Sequence, residues 1–285
     1  MDNKKLKSEN TKLVIAISSR ALFNLDQSHK IFKEKGIEAY AKHQQENEHV
    51  ILEPGVGFTL VKKLLKLNSK KTPIDVILLS RNSADTGLRI FNSIEHYDLN
   101  ISRAAFTRGE STHPFVGAFE ADLFLSSNYN DVQKALQSGY AAASIVESKS
   151  NNSHPSQLRI AFDGDAVIFS DESERIFQEK GLEAFHENEI LSEKIELKAG
   201  PFKSFLVSLQ KIQSTFPEED NPIRTALVTA RSAPSHRRVI HTMRKWGIRI
   251  DESFFLGGLE KGVFLRQFAA DIFFDDQQQH CESAS

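Results

Sequence analysis

The sequence carries one pattern twice, and this repeat limits what the chain can fold into. Residues 15–40 read IAISSRALFNLDQSHKIFKEKGIEAY, residues 160–185 read IAFDGDAVIFSDESERIFQEKGLEAF, and 12 of the 26 aligned positions are identical without a gap. Asp163 stands opposite Ser18, an offset of 145 residues (163 minus 18) that far exceeds the roughly 20–50 residues of a solenoid unit. The pattern therefore predicts a tandem duplication of a whole domain.

The repeat continues along the chain with one insertion. Residues 73–84 (PIDVILLSRNSA) match residues 222–233 (PIRTALVTARSA), and residues 119–127 (FEADLFLSS) match residues 268–276 (FAADIFFDD). The offset is now 149 (222 minus 73), so the second copy contains four additional residues. They fit most simply into the polar stretch QSTFPEED before Pro222.

A polar linker separates the two copies. Residues 148–157 (SKSNNSHPSQ) contain a proline and no apolar run, as is typical of loops between structured segments. We expect a first domain over residues 1–148 and a second over residues 149–285. The first copy continues with a predicted helix and strand (DVQKALQSG and AAASIV) that the second copy lacks, so the second sheet should lack an edge strand.

Apolar runs alternate with helical periodicity in both copies. Runs with the length and composition of buried parallel strands lie at 13–17, 75–79, 104–106, 122–125, 158–162, 225–229, 253–257 and 271–274. Amphipathic helices are predicted at 28–47, 57–68, 86–95, 173–188, 203–213 and 234–246. This alternation predicts an α/β fold with a parallel sheet in each copy.

Composition excludes several classes of protein. The net charge of −2, without a basic stripe, disfavours nucleic acid as a partner. No apolar run approaches the roughly 20 residues that span a bilayer, and no secretory signal is visible, so we expect a cytoplasmic protein without a membrane partner. The single cysteine, Cys281, fits a reducing compartment. The sequence leaves homo-oligomerisation open.

The clearest candidate for chemistry is a pair of carboxylates at the end of a strand. Asp163 and Asp165 follow the run 158–162, and Gly164 between them favours a loop in which both can converge on one ligand. Beside a metal ion, one carboxylate can attack phosphorus while the other transfers protons. A surface turn is the alternative interpretation of such a pair.

Three further sets of polar residues end strands of the second copy. A hydroxyl and exposed amides at Thr229, Ala230 and Arg231 suit a phosphate group, although a threonine before a helix is also a common N-cap. Lys261 is predicted in a glycine-flanked loop, where it can reach a phosphoryl oxygen or remain a solvated surface lysine.

Adjacent acids end the last strand of the second copy. Asp275 and Asp276 are costly neighbours unless they are solvated or bound to a cation, and their hard oxygens suit Mg²⁺. Ligands of parallel sheets bind beyond the carboxyl ends of the strands, where all four sets of residues fall. The first copy has lost the carboxylates and the lysine together, and their places are taken by Ser18, Arg20, Thr112, Ser126 and Ser127. Ser80 stands in the place of Thr229.

The order of these motifs resembles the haloacid dehalogenase superfamily of phosphotransferases. The strings ISSRALFNL, HYDL, FDGDAVIFSDESERI, LVTARSA and FFDDQ look like the cytosolic 5′-nucleotidase I family over about residues 12–280. The resemblance implies two haloacid-dehalogenase-like Rossmannoid sheets, with a small helical cap in the second copy over about residues 170–215. It also implies Mg²⁺-dependent hydrolysis of nucleoside 5′-monophosphates, AMP especially, to nucleoside and phosphate.

The same resemblance implies a role for each motif residue. Asp163 is the expected nucleophile, which forms an aspartyl-phosphate, and Asp165 is expected to protonate the leaving ribose 5′-oxygen and then activate water. Lys261 is expected to balance the phosphoryl charge, and phosphate contacts are assigned to Thr229, Ala230, Arg231 and Lys261. The implied ligands of Mg²⁺ are Asp163, the carbonyl of Asp165, and Asp275 or Asp276.

Substrate recognition is less constrained by the sequence. Four phenylalanines of the cap segment can stack on a base or pack in the core, and they are Phe177, Phe185, Phe202 and Phe205. Four residues of the first copy can bind a second nucleotide, reach the substrate or lie at an interface, and they are Arg20, Arg81, Asn82 and Arg108. Two other functions stay open: hydrolysis or transfer of phosphate from another small ester, and nucleotide sensing with negligible turnover.

Overall fold

The computed structural model describes residues 12–69, 73–145, 154, 156–277 and 279–281. Most of the predicted linker 148–157 and the expected boundary between residues 148 and 149 lie outside these ranges. We refer to residues 12–145 as the first lobe and to residues 156–281 as the second lobe.

Each lobe contains one parallel β-sheet. The first sheet has five strands in the order β3-β2-β1-β4-β5, and the second has four in the equivalent order β8-β7-β6-β9. The strands are β1 (Leu13–Ser18), β2 (Ile74–Ser80), β3 (Arg103–Phe106), β4 (Leu123–Ser126), β5 (Ala142–Ser144), β6 (Leu158–Phe162), β7 (Ile223–Thr229), β8 (Glu252–Phe255) and β9 (Ile272–Phe274).

Helices connect the strands and cover the sheets. They are α1 (Ser19–Leu22), α2 (Asp26–Glu46), α3 (Phe58–Leu67), α4 (Leu88–His96), α5 (Pro114–Ala118), α6 (Tyr129–Gln137), α7 (Glu172–Leu191), α8 (Lys203–Gln213), α9 (His236–Trp246) and α10 (Lys261–Phe268). Short 3-10 turns occupy Ala84–Thr86 and Glu218–Asp220, and a π-helical turn occupies Gly164–Ile168.

The predicted α/β architecture with parallel sheets is confirmed. Each strand predicted from an apolar run is present with its ends within two residues of the prediction, and the additional run AAASIV contains β5. Among the described residues, the second sheet has no strand in the position of β5, as the sequence indicated. The sequence did not predict the short helices α1 and α5 or the helix α10.

The core is continuous between the two sheets. One cluster of buried side chains includes residues of β1 and β6 together with residues of α3 and α8. The rings of Phe202 and Phe274 lie 4.7 Å apart, and those of Phe162 and Phe274 lie 5.4 Å apart. Phe205 is also fully buried in this cluster, so Phe202 and Phe205 are core residues. Burial of each such ring contributes roughly 1.5–3 kcal/mol to the stability of the folded state.

The expected cap segment, about residues 170–215, therefore contains two elements with different environments. Helix α8 packs in the core between the sheets. Helix α7 has only three buried residues and breaks into two limbs at Gly181, whose φ of 81° is a conformation that glycine adopts without strain. Helix α2 breaks in the same way at Gly36, with a φ of 80°.

Equivalent polar contacts join the two lobes. Lys63 Nζ on α3 lies 2.5 Å from Asp271 Oδ1, and Ser208 Oγ on α8 donates to Asp122 Oδ1 at 2.7 Å. Lys63 and Ser208 occupy matching positions of the repeat, as do Asp122 and Asp271. Similar surfaces of the two lobes thus face each other.

No helix within the described ranges combines the length and the apolar character needed to cross a membrane.

We expect the contact between Lys63 and Asp271 to stabilise the two-lobe arrangement. Substitution Lys63→Met should lower the free energy of unfolding by about 3 kcal/mol, because it leaves a largely buried carboxylate without its cation. Urea denaturation measures this change. Lys62→Met, at an exposed position of the same helix, is the matched control and should change stability by less than about 0.5 kcal/mol. Equal effects of both substitutions would contradict the prediction.

Candidate functional site

Asp163 lies at the carboxyl end of β6 in a nearly closed environment. Its backbone N–H donates to Phe274 O of β9 at 2.8 Å, which continues the pairing of the two strands. Its side chain Oδ1 accepts a hydrogen bond from Gly164 N at 2.7 Å, and the residue is only 6% exposed. The sheet therefore fixes the direction of this carboxylate.

Lys261 joins two of the predicted acids. Its Nζ lies 3.0 Å from Asp163 Oδ1 and 2.6 Å from Asp275 Oδ2, and the residue is 3% exposed. The expectation that Lys261 lies in a loop is wrong, because it is the first residue of α10. Its neighbour Gly262 belongs to the helix, and the first turn of α10 presents the ammonium group to the strand ends.

Three carboxylates meet at the tips of β6 and β9. Asp163, Asp275 and Asp276 each offer an oxygen, and these oxygens all lie within 4.8 Å of one another. Three ionised carboxylates and one ammonium group leave a local charge of −2, which a divalent cation neutralises. Oxygen donors of this kind are the ligands that Mg²⁺ prefers.

Burial and the charges of neighbouring groups shift the pKa values of these residues. Burial raises the pKa of the Asp163 carboxyl to about 7, since Asp275 adds to this effect and Lys261 only partly opposes it. Burial, with the charge of Asp275, also raises the pKa of Asp276. Burial acts to lower the pKa of Lys261, but the charges of Asp163 and Asp275 outweigh it, and the pKa is raised.

Thr229 ends β7 beside the loop that carries the two acids. A Cβ atom at Gly164 would lie 3.1 Å from Thr229 Oγ1, so glycine permits the close approach of the two strand ends. Thr229 Oγ1 accepts a hydrogen bond from Arg231 N at 3.2 Å, and the exposed Ala230 lies between them. A hydroxyl and the following backbone thus border the acidic cluster.

The side chain of Arg231 binds carboxylates, whereas the sequence predicted a phosphate contact for it. Its Nε and Nη2 each donate to one oxygen of Asp165 at 2.7 Å, and its Nη1 donates to Glu189 at 2.6 Å. All three guanidinium nitrogens therefore bind carboxylates. The resemblance assigned Asp165 to proton transfer and, through its carbonyl, to the metal. In the structure its carboxylate contacts Arg231, and Asp165 is not part of the three-carboxylate cluster.

Sequence reasoning missed Glu189 and Arg238, which complete this arrangement. Arg238 on α9 donates from Nη1 to Glu189 Oε1 at 2.9 Å. The repeat contained a usable signal, because Glu189 stands where the first copy has Gln44, another carboxylate present in one copy only. His280, with Nδ1 3.0 Å from Asp275 Oδ2, was also missed, and no sequence motif marks it.

The candidate residues of the first lobe each contact a residue of that lobe. Arg20 pairs with Asp26 at 3.2 Å, and Asn82 accepts a hydrogen bond from Tyr40 at 2.8 Å. Arg81 makes a two-point contact with Asp131 at 2.6 and 2.8 Å. The backbone N–H of Arg108 donates to Asn82 O at 3.0 Å.

Comparisons with known proteins assign the chain to a family. The family model described as 5′-nucleotidase matches residues 5–285, so the chain belongs to the 5′-nucleotidase family. Cytosolic 5′-nucleotidase 1B from Homo sapiens is 40% identical over 286 residues, which cover 95% of this chain and 47% of the human protein. The chain thus spans about half the length of this curated relative. No solved structure gives a significant match.

The family resemblance inferred from the motifs is therefore confirmed.

We expect the three-carboxylate cluster to bind a divalent cation. Mg²⁺ should raise the melting temperature of the protein, because a ligand that binds only the folded state stabilises it. Asp276→Asn should weaken the affinity by about tenfold or more, since it removes one ligand while leaving the buried pair intact. Thermal denaturation measures the melting temperature, and calorimetric titration measures the affinity. Asp220→Asn, at an exposed position outside the cluster, is the control and should bind like the unaltered protein.

Proposed function

We propose that the chain is a phosphoric monoester hydrolase that releases phosphate from nucleoside 5′-monophosphates, AMP among them. The observation that carries this proposal is the lysine-bridged cluster of Asp163, Asp275 and Asp276 at the ends of adjacent parallel strands. Membership of the 5′-nucleotidase family and the 40% identity to a protein named cytosolic 5′-nucleotidase support the substrate class. The name of that relative also supports a cytoplasmic location.

Mg²⁺ is the cofactor that fits the donor set best. The cluster offers only oxygens, carries an excess of two negative charges when ionised, and lies at the edge where ligands of parallel sheets bind. Asp163, Asp275 and Asp276 would hold the ion, with the carbonyl of Asp165 as a further donor. The bound ion would supply neutralisation of the phosphoryl charge.

The proposed reaction uses Asp163 as the nucleophile. Its oxygen forms a bond to phosphorus while the bond from phosphorus to the ribose 5′-oxygen breaks, and that oxygen takes a proton from Asp165. Water then attacks the aspartyl-phosphate, gives a proton to Asp165 and releases phosphate, which regenerates Asp163. Phosphoryl transfer depends mainly on in-line positioning and charge neutralisation, and Lys261 contributes to the second.

The remaining residues of the site would bind and orient the substrate. The Thr229 hydroxyl and the Ala230 amide border the cluster and can donate hydrogen bonds to phosphoryl oxygens. Helix α7 reaches the same edge, because Gln277 Nε2 donates to Glu174 Oε1 at 3.3 Å. We propose that α7 is the cap. Its Phe177 is 49% exposed and lies edge-on to Phe185 at 6.3 Å, which suits stacking on a base.

The two lobes are proposed to be domains that arose by tandem duplication, with boundaries at residues 1–148 and 149–285. The equivalent strand orders and the equivalent contacts through Lys63 and Ser208 support this origin. Among the residues that the structure describes, the carboxylate cluster lies in the second lobe, so the second lobe is proposed to be catalytic.

Asp163→Asn should abolish phosphate release from AMP while preserving the fold. Where catalytic residues act as a unit, loss of the nucleophile typically lowers the rate by several powers of ten. A colorimetric phosphate assay measures the rate, and circular dichroism checks the fold. Ser18→Ala, at the corresponding position of the first copy, is the matched control and should leave turnover unchanged. Near-normal turnover by the Asp163 variant would refute the assignment.

A substrate panel distinguishes the proposed activity from its alternatives. We expect phosphate release from nucleoside 5′-monophosphates in the presence of Mg²⁺, with loss of activity after chelation. Equal activity on sugar phosphates and nucleotides would indicate a phosphatase for other small esters. Transfer of phosphate to an added nucleoside would indicate a phosphotransferase. Binding of nucleotide without phosphate release would indicate a sensing protein.

A further inference from the structure

A largely buried series of four charged side chains connects Asp165 to the cap helix. Arg231 holds both oxygens of Asp165 and reaches Glu189 on the second limb of α7, and Arg238 on α9 binds the other oxygen of Glu189. The side chain of Glu189 has no exposed surface, and that of Arg231 is 3% exposed. We refer to Asp165, Arg231, Glu189 and Arg238 as the ionic relay.

Helix α7 contributes more than one contact to this relay. Ser173, on its first limb, donates to Glu189 Oε1 at 2.9 Å, so the two limbs are joined across the break at Gly181. The ring of Phe185 lies 5.3 Å from Arg231 Cζ, within the range of a cation–π contact. Buried charges persist in proteins only when they are paired, so the relay requires all its members.

The first lobe preserves the frame of this arrangement. Ser28 donates to Gln44 Oε1 at 3.3 Å, and Arg89 donates to the same oxygen at 3.2 Å. These contacts repeat those of the second lobe at the matching positions Ser173, Glu189 and Arg238. A serine, a side chain with a carbonyl oxygen and an arginine thus make the same set of contacts in both lobes.

The first lobe lacks the charges that extend the frame to the strand end. Gln44 is neutral where Glu189 is ionic, and Asn82 replaces Arg231 and bonds to Tyr40 instead. Three members of the relay have therefore changed together with the catalytic carboxylates, and the replacements are Arg20 for Asp165, Asn82 for Arg231 and Gln44 for Glu189. A link that was needed only for folding would be expected in both lobes.

We propose that Arg231 and Glu189 are positioning residues that hold the carboxylate of Asp165 in one orientation and tie its position to the cap helix α7. The two-point contact with Arg231 restricts Asp165 to one orientation. Because Glu189 holds Arg231 from α7, any movement of the cap on substrate binding moves the support of Asp165. This inference rests on the proposed function, in which Asp165 transfers protons.

The kinetic test uses the double variant Glu189→Gln, Arg231→Asn, which reproduces the pair found in the first lobe. It removes one positive and one negative charge, so the buried site stays balanced. We expect kcat on AMP to fall roughly 10- to 100-fold, with KM changed less than about threefold, because a proton-transfer group is misplaced. Calorimetric affinity for Mg²⁺ should stay the same, because the three clustered acids are untouched.

The leaving group separates positioning from a general structural effect. With p-nitrophenyl phosphate, whose phenolate departs without a proton, kcat/KM should fall far less than with AMP. Asp165→Asn should show the same dependence on the leaving group. Its loss of kcat/KM on each substrate is the reference with which the losses of the double variant are compared. Equal losses on both substrates, or a matching loss of Mg²⁺ affinity, would overturn the inference. Gln44→Glu, at the matching position of the first lobe, is the control and should leave turnover unchanged.

Hydrogen–deuterium exchange tests the link to the cap without any turnover. Asp165→Asn should accelerate amide exchange in residues 182–191 by roughly threefold or more, because the relay loses one anchor. Exchange in the corresponding limb of α2, residues 37–46, should not change. Unaltered exchange in residues 182–191 would overturn the inference. An unaltered protein that releases no phosphate from any ester would instead refute the proposed function, and the exchange experiment would still decide the relay.

Discussion

The second lobe depends on the balance of charge between Lys261 and the acids at the tips of β6 and β9. Asp163 and Asp275 end adjacent strands, and the ammonium group contacts both at 3.0 and 2.6 Å. Without this cation, two largely buried carboxylates would repel each other at the edge of a sheet. The lysine does not complete the balance, because Asp276 adds a third carboxylate. The folded protein thereby provides an anionic site suited to a divalent cation and, through it, to a phosphoryl group.

Comparison of the two lobes separates what the fold requires from what the chemistry requires. Both have parallel sheets with equivalent strand orders, a helix that breaks at a glycine, and a serine–arginine frame around the same helix. They differ where the first strand ends. Residues Ser19–Leu22 form a helical turn in the first lobe, whereas Gly164–Ile168 form a π-helical turn with Ala166 at a φ of 60° in the second. A non-glycine residue in this region is strained, and such strain clusters at functional sites.

Much of the candidate site was predictable from particular residues. The acids 163, 275 and 276 and the hydroxyl of Thr229 end or follow strands that the apolar pattern located, and parallel strands bring their carboxyl ends to one edge. Lys261 was recognised by its residue type, although the helix α10 that it begins was not predicted. The partners of these residues were not predictable in the same way. The sequence predicts Arg231 as a phosphate ligand beside Thr229. In the structure its guanidinium group binds Asp165 and Glu189, because a buried guanidinium group pairs with the carboxylates that the fold places around it.

The sequence by itself determined the α/β fold class, the strand positions and the polar residues at the strand ends, because these follow from local apolar patterns and from an internal repeat. Only the tertiary structure decided which charges pair. Arg231 lies 66 residues from Asp165 and 42 from Glu189, and Lys63 lies 208 residues from Asp271, so no local pattern relates these partners. Electrostatic interactions act through space and strengthen with burial, and both distance and burial exist only once the sheets and helices have packed.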